Sequence, residues 1–186
     1  MIKSIVMGIM MLALTGVALA TESYDRVLDD MVSGPIAVVV RQKALVSAVA
    51  RQNQETADYS REQIEALDAR WRVELEAEEQ PFIDALLERE LSQYLMRVQK
   101  NSDGWITEIM IMDAKGLNVA QSQATSDYWQ GDEAKWQVPF NEGRIHIGDI
   151  ELDDSTQSVQ AQISVPIKDR FSKIIGAATF GISFHP

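Results

Sequence analysis

The hydrophobic positions change period once along this chain, near Asn101. Before it they recur every three or four residues, and after it they alternate, so helices come first and strands second. Tyr24 to Val32 predicts a short helix that stops at the breaker pair Gly34-Pro35. Pro35 opens the next helix, which Ile36, Val39, Val40, Leu45, Val46 and Val49 carry to about Gln52. Ser60 and Gln63 form a capping-box pattern, and Ile64, Leu67, Trp71 and Leu75 follow at helical spacing. Pro81 opens a further helix with Phe82, Leu86, Leu87, Leu91, Tyr94, Leu95 and Val98 on its face. Asn101-Ser-Asp-Gly104 ends it.

The second half reads as five strands. Trp105 to Asp113 alternates, with Ile106, Glu108, Met110 and Met112 on one side and Trp105, Thr107, Ile109 and Ile111 on the other. Ala114-Lys-Gly116 turns the chain into a second strand, Leu117 to Ser122. Thr125 to Pro139 is aromatic, acidic and without β pattern, which predicts a loop with a short helix. Strands then follow at Arg144–Leu152, Ser158–Ile167 and Lys173–Phe184, with a turn at Asp153-Asp154-Ser155. Helices followed by hairpin-linked strands give an α+β class. Two strands, a helical excursion and three more strands is the order of a PAS-like antiparallel sheet, here with long N-terminal helices packed on five strands.

Met1 to Ala20 stands apart. One base, Lys3, precedes an apolar run from Ile5 to about Val17, and Ala18-Leu19-Ala20 is a small-x-small cleavage pattern. This predicts a cleaved signal peptide and a periplasmic protein, with an uncleaved anchor as the other reading. The expected organisation is 1–20 signal peptide, 21–104 helical region, and 105–186 sheet with a pocket loop at 125–139. The chain has 186 residues, 17 Lys+Arg, 28 Asp+Glu and no Cys. Losing Lys3 leaves 16 bases against 28 acids, a net charge of −12. Such a chain has no electrostatic attraction for nucleic acid or anionic lipid. Without Cys there is no disulfide, thiolate metal site, cysteine nucleophile or CxxCH haem attachment.

Four stretches carry a family resemblance. Ile106-Thr-Glu-Ile-Met-Ile-Met-Asp-Ala-Lys-Gly116-Leu-Asn-Val-Ala has the pattern strand, Asp, x, x, Gly, strand. Thr125-Ser-Asp-Tyr-Trp-Gln-Gly-Asp-Glu-Ala-Lys-Trp136 is similar to a pocket-closing segment. Arg144-Ile-His-Ile-Gly-Asp-Ile-Glu-Leu-Asp153 comes next as the third strand. Val159-Gln-Ala-Gln-Ile-Ser-Val-Pro-Ile-Lys-Asp169 and Ile174-Ile-Gly-Ala-Ala-Thr-Phe-Gly-Ile make the last hairpin. Together they resemble the extracellular Cache, or PDC sensor, domains of bacterial chemoreceptors and sensor kinases. The resemblance implies a single Cache domain that binds a small ligand without chemistry and without a cofactor. Most members continue into a membrane span and an output domain. This chain stops after the last strand, so its expected partner is a separate membrane kinase, chemoreceptor or diguanylate cyclase. Dimerisation through the N-terminal helices is a further expectation. The amino-acid sensors of the family grip a carboxylate with an Arg in the pocket helix. Gly131-Asp-Glu-Ala-Lys-Trp136 offers Lys135 and no Arg, so an amino-acid ligand is not supported.

Candidate ligand contacts lie in the loop and on the strands. Tyr128, Trp129 and Trp136, with Asp132 and Lys135 beside them, either form a lid over a ligand or plug the sheet's own core. In the fourth strand Val159, Ala161, Ile163, Val165 and Ile167 make one face and Ser158, Gln160, Gln162 and Ser164 the other. That polar face either meets water or floors a pocket, where Gln160, Gln162 and Ser164 would supply neutral donors and acceptors. Gly176, Ala177, Ala178 and Gly181 leave space nearby. Arg144 suits a carboxylate by its forked geometry or makes a surface ion pair. His146 is either a charge switch or a satisfied strand side chain. The run Asp149, Glu151, Asp153, Asp154 reads as a solvated turn, since it lacks calcium-loop spacing. No His pair has metal-ligand spacing, and no nucleophile–base pattern, P-loop or GxSxG points to an enzyme. A ligand-free interaction module is the remaining alternative.

Overall fold

A computed structural model describes residues 26–153 and 158–184. The signal-peptide segment, the turn at Asp154-Ser155 and His185 lie outside the described residues. The chain divides into two compact units, Met1–Ala37 and Val38–Pro186. In the first, residues 26–31 are helical and run into a π-helical turn, Val32–Ile36. Gly34 breaks the helical backbone there (φ −98°, ψ −107°), with Pro35 directly after it. The breaker pair thus kinks the helix where the sequence predicts a stop.

The second unit opens within α1 (Ala37–Val40) and continues through α2 (Lys43–Glu55), α3 (Arg61–Leu75), α4 (Pro81–Leu87) and α5 (Glu90–Lys100). Two predicted helices are each divided. Gln42 is extended (φ −60°, ψ 127°), which separates α1 from α2. Arg89 is extended (φ −55°, ψ 140°), which separates α4 from α5. The physical reason for the second break is tertiary. Arg89 Nη1 donates to Gln52 Oε1 at 3.0 Å and to the Val119 carbonyl at 2.8 Å, reaching both α2 and the sheet. At the start of α3 the capping box is complete: Ser60 Oγ accepts from Gln63 N–H and Gln63 Oε1 accepts from Ser60 N–H. Glu74 Oε2 accepts from Phe82 N–H at 2.6 Å and Ile83 N–H at 3.2 Å, so a carboxylate from α3 caps the first turn of α4.

The strands are β1 (Ile106–Met112), β2 (Asn118–Gln121), β3 (His146–Ile147), β4 (Glu151–Asp153), β5 (Ser158–Lys168) and β6 (Ile174–Ser183). Their order is β2-β1-β6-β5-β3, with β4 also on β5 and all pairs antiparallel. The predicted strand Arg144–Leu152 is therefore two short pieces along one edge, parted by Gly148, Asp149 and Ile150. Counted as one edge strand, they complete the five-stranded PAS-like order. A short helix α6 (Ala134–Gln137) and a π-helical turn, Val138–Glu142, lie between β2 and β3.

Register sorts the sheet into two faces, because side chains alternate along each strand. One face carries Ile109 opposite Phe180 opposite Ile163, then Ile111 opposite Ala178 opposite Val165. All six are buried. The helices pack here: a Cβ added at Gly176 would sit 3.0 Å from Val49 Cγ1 of α2 and only 2.2 Å from the Met112 carbonyl oxygen. Gly176→Ala must part β1 from β6 or shift α2. A loss of about 1–3 kcal/mol, read by urea unfolding, is the expected outcome. A variant as stable as the parent would disprove this close approach. Among the described residues no single helix is long and apolar enough to cross a membrane.

Candidate functional site

The second face is polar in two rows. In one, Met110, Thr179, Ser164 and His146 are opposite one another across β1, β6, β5 and β3. In the other, Glu108, Gly181 and Gln162 are opposite one another, and Gly148 N–H donates to the Gln162 carbonyl at 2.8 Å. The central part of this face is filled. Met110, Met112, Ala177, Thr179 and Ser164 are all buried. The Ser164 and Thr179 hydroxyls bond each other at 2.9 Å. Helix α6 and the turn after it contact β5 and β6.

The loop between β2 and α6 divides its aromatics. Tyr128 enters an apolar cluster with Trp71, Ile64, Ile83, Leu86 and Leu117, where its ring stacks on Trp71 at 5.7 Å and meets the Phe82 edge at 4.7 Å. Burial pushes its phenol well above the ordinary tyrosine range, and the Arg89 charge opposes that only in part. Asp68 of α3 fixes this part of the loop. Its Oδ1 accepts from the backbone N–H groups of Tyr128 (2.9 Å) and Trp129 (3.0 Å), and its Oδ2 pairs with Arg72. Trp129 Nε1–H donates to the Lys115 carbonyl at 2.8 Å, and the Arg61 guanidinium lies 4.2 Å from its ring. Trp136 is held apart from these two. It stacks on Phe140 at 4.7 Å and donates to the Asp113 carbonyl at 2.9 Å.

Asp113 sits at the centre of these attachments and is fully buried. Its Oδ1 accepts from Lys115 N–H (2.8 Å) and Leu117 N–H (3.0 Å), closing the Asp-x-x-Gly116 turn. Its Oδ2 accepts from Gln52 Nε2 (3.2 Å) and Thr56 Oγ1 (2.9 Å) of the α2 end. Burial raises its carboxyl above the ordinary Asp range, and these four donors pull against that rise. Gly116 adopts φ +82°, and an added Cβ would lie 2.5 Å from Gly131 Cα, so this turn and the loop touch backbone to backbone.

The remaining candidates separate in the same way. Arg144 is exposed and pairs with Glu142 in a surface ion pair, the second of its two expected roles. Lys135 pairs with Glu133 at 3.0 Å, and Asp132 is exposed. His146 is half-buried opposite Ser164. Gln160 and Gln162 come together in a cleft of about 280 Å³ on the second face, lined also by Glu108, Gly148, Asp149, Ala161 and Gly181. None of Tyr128, Trp129, Asp132, Lys135, Trp136, Arg144, His146 and Ser164 lines it. Sequence reasoning did not name Glu108 as a ligand contact and read Asp149 as part of a solvated turn. The signal for Glu108 was available: it is the one charge between Ile106 and Met110 on a strand face that is otherwise apolar. A second, open groove of about 1000 Å³ runs between α2 and α5, with Arg51, Arg89 and Arg97 and also Glu55, Glu88 and Glu90 along it. Among the described residues no three His, Cys, Asp or Glu side chains are grouped to hold a metal ion.

No family model matches this chain, and no curated protein matches it by sequence. Solved structures do match in outline. The ligand-binding domain of the Pseudomonas aeruginosa amino-acid chemoreceptor PctC, solved with GABA, is 13% identical. The match covers 61% of this chain and 55% of that one, with a TM-score of 0.41. The sensor domain of the V. cholerae histidine kinase DctB is 12% identical over 78% and 56% of the two chains, with a TM-score of 0.34. The E. coli DcuS sensor domain is 18% identical over 75% and 88%, with a TM-score of 0.38. The chain spans about half the length of the first of these, and of the second.

Proposed function

We propose that this chain is a periplasmic sensor domain that binds a small molecule non-covalently and reports to a separate membrane kinase, chemoreceptor or diguanylate cyclase. The observation that carries it is the cleft on the polar face of a PAS-like sheet, where Gln160 and Gln162 stand beside Glu108 and Asp149. Small-molecule sites have this form: a concave wall with a few convergent polar groups. Among the described residues that line the cleft there is no nucleophile paired with a base, which supports recognition and release as its chemistry. Binding would shift the docking surface seen by that partner.

A ligand-free interaction module is the second reading. It is favoured by the filled central face, where Ser164 and Thr179 satisfy each other and the indole N–H groups of Trp129 and Trp136 both reach carbonyls. Thermal-shift measurements with small acids, amines and purines separate the two. A ligand at 100 times its Kd adds about 2.7 kcal/mol, roughly several degrees in a domain of this size. The expected result is a shift with at least one class, lost in Gln162→Leu. A panel that moves the melting temperature nowhere favours the interaction module.

A further inference from the structure

We propose that β2 and the loop after it enclose a site for one desolvated monovalent cation, of the class of sodium and potassium. Asn118, Gln121 and Gln130 are each 0% exposed. Each carries one carboxamide atom with no hydrogen-bond partner among the described residues: Asn118 Oδ1, Gln121 Nε2 and Gln130 Oε1. A buried polar atom left unpaired is costly, and three together call for a bound group that meets them. The other ends of these amides are tied to one place. Asn118 Nδ2 donates to Thr125 Oγ1 and to the Asp127 carbonyl, both at 3.1 Å, and Gln130 Nε2 donates to the same carbonyl at 2.7 Å. Thr125 Oγ1 lies 2.7 Å from that carbonyl and 3.3 Å from Gln121 Oε1. A hydroxyl has one proton, and the shorter contact takes it, so Thr125 can only accept from Gln121. The Gln121 amide therefore turns its nitrogen to Thr125 and its oxygen to the unpartnered position, an exchange of two atoms of nearly equal shape.

Three amide oxygens then share one buried region, each on the carbon whose nitrogen sits on Thr125 or Asp127. Their chemistry selects the occupant. A water molecule has two protons to give and would leave one of the three oxygens unmet. A bare cation takes all three at once, as rings of carbonyl oxygens do for potassium. Calcium and magnesium draw on carboxylates, and none is among these three groups. The charge beside the site also suits a single monovalent ion. Asp68 Oδ2 and Asp127 Oδ1 share one guanidinium, that of Arg72, at 2.7 and 2.8 Å. Two carboxylates against one Arg leave a formal charge of −1 among them. Such an ion ties β2 to the loop whose Tyr128 and Trp129 amides bond to Asp68 of α3, so its loss loosens that loop. The site is separate from the cleft on the polar face, and none of its three amides lines that cleft.

The test measures melting temperature, and the rate of limited proteolysis between Gln121 and Gln130, in potassium, sodium and choline chloride at one ionic strength, and in calcium chloride. Potassium or sodium should raise the melting temperature by a few degrees over choline, saturate with concentration, and slow the cleavage several-fold. Gln121→Met and Gln130→Met each remove one oxygen at similar volume and should abolish that difference between ions. Equal melting temperatures in the three monovalent salts overturn the proposal. An ion-specific rise that survives both substitutions overturns it too, since the ion then binds elsewhere. A larger rise in calcium at the same ionic strength, lost in Gln130→Met, overturns it in favour of a divalent site. Crystals grown in thallium acetate give a reading that needs no variant. An anomalous peak in contact with Asn118 Oδ1 and Gln130 Oε1 supports the site, and a water in its place overturns it. None of these outcomes bears on small-molecule binding in the cleft, which Gln162→Leu tests separately.

Discussion

Asp113→Ala should lower the stability of this domain by about 3–5 kcal/mol. The substitution strands two backbone donors, Lys115 N–H and Leu117 N–H, in a site that excludes water, and it leaves Thr56 Oγ1 and Gln52 Nε2 only their other acceptors, the Gln52 and Asn118 carbonyls. Each stranded donor costs roughly 1–3 kcal/mol, and partial relaxation keeps the sum below the full total. Asp113→Asn keeps one oxygen for the two backbone donors of the turn. Its amide then meets the Gln52 amide donor to donor, for a smaller loss of about 1–2 kcal/mol. The two variants separate shape from charge. Urea unfolding should rank them Ala below Asn below the parent, and an Asp113→Ala protein within about 1 kcal/mol of the parent would contradict the four-donor geometry.

Trp71→Ala is the second large effect, at about 3–5 kcal/mol. Trp71 has no exposed surface. It meets Phe82 edge-on at 5.6 Å, stacks on Tyr128, and donates its indole N–H to the Thr125 carbonyl at 2.8 Å. Removing it opens a cavity among aromatic rings and also releases the start of the 125–139 loop. The loss should therefore appear in two measurements. The unfolding midpoint should fall, and cleavage by limited proteolysis between Gln121 and Gln130 should accelerate. Trp71→Phe fills most of the volume and should recover most of the stability without the Thr125 bond. A Trp71→Ala protein that unfolds at the parent's midpoint would show that the loop does not depend on this ring.

Much of the fold is carried by local signals that nothing distant overrides. The Ser60–Gln63 box starts a helix because both of its bonds close within four residues. The alternation of Val159 to Ile167 survives because its apolar side meets Phe180, Ala178 and Gly176 in register. The two helix breaks are different in kind. No local pattern marks Arg89 as extended, since the reason lies in Gln52 and Val119, distant in sequence. The site was half legible for the same reason. Gln160 and Gln162 share a strand, so alternation alone puts them on one face. Glu108 joins them only because β6 lies between with glycine at position 181, and that requires the register of three strands. The aromatic loop misled differently. Tyr128, Trp129 and Trp136 are near neighbours in sequence, yet Asp68 holds the first two toward α3 while Trp136 is tied to the Asp113 carbonyl.

The interrupted edge at Gly148 to Ile150 has a bearing on solubility. An unbroken outer strand would present a continuous row of unpaired amide and carbonyl groups to any other chain. Here Ile145, Ile147 and Ile150 are each close to half exposed along that border. Breaking the ladder after two residues, beside Asp149, denies a second molecule the straight template those isoleucines would otherwise complete. The segment that bounds the cleft is thus also a guard against self-association, and regularising it into one strand would trade that guard for a sticky border.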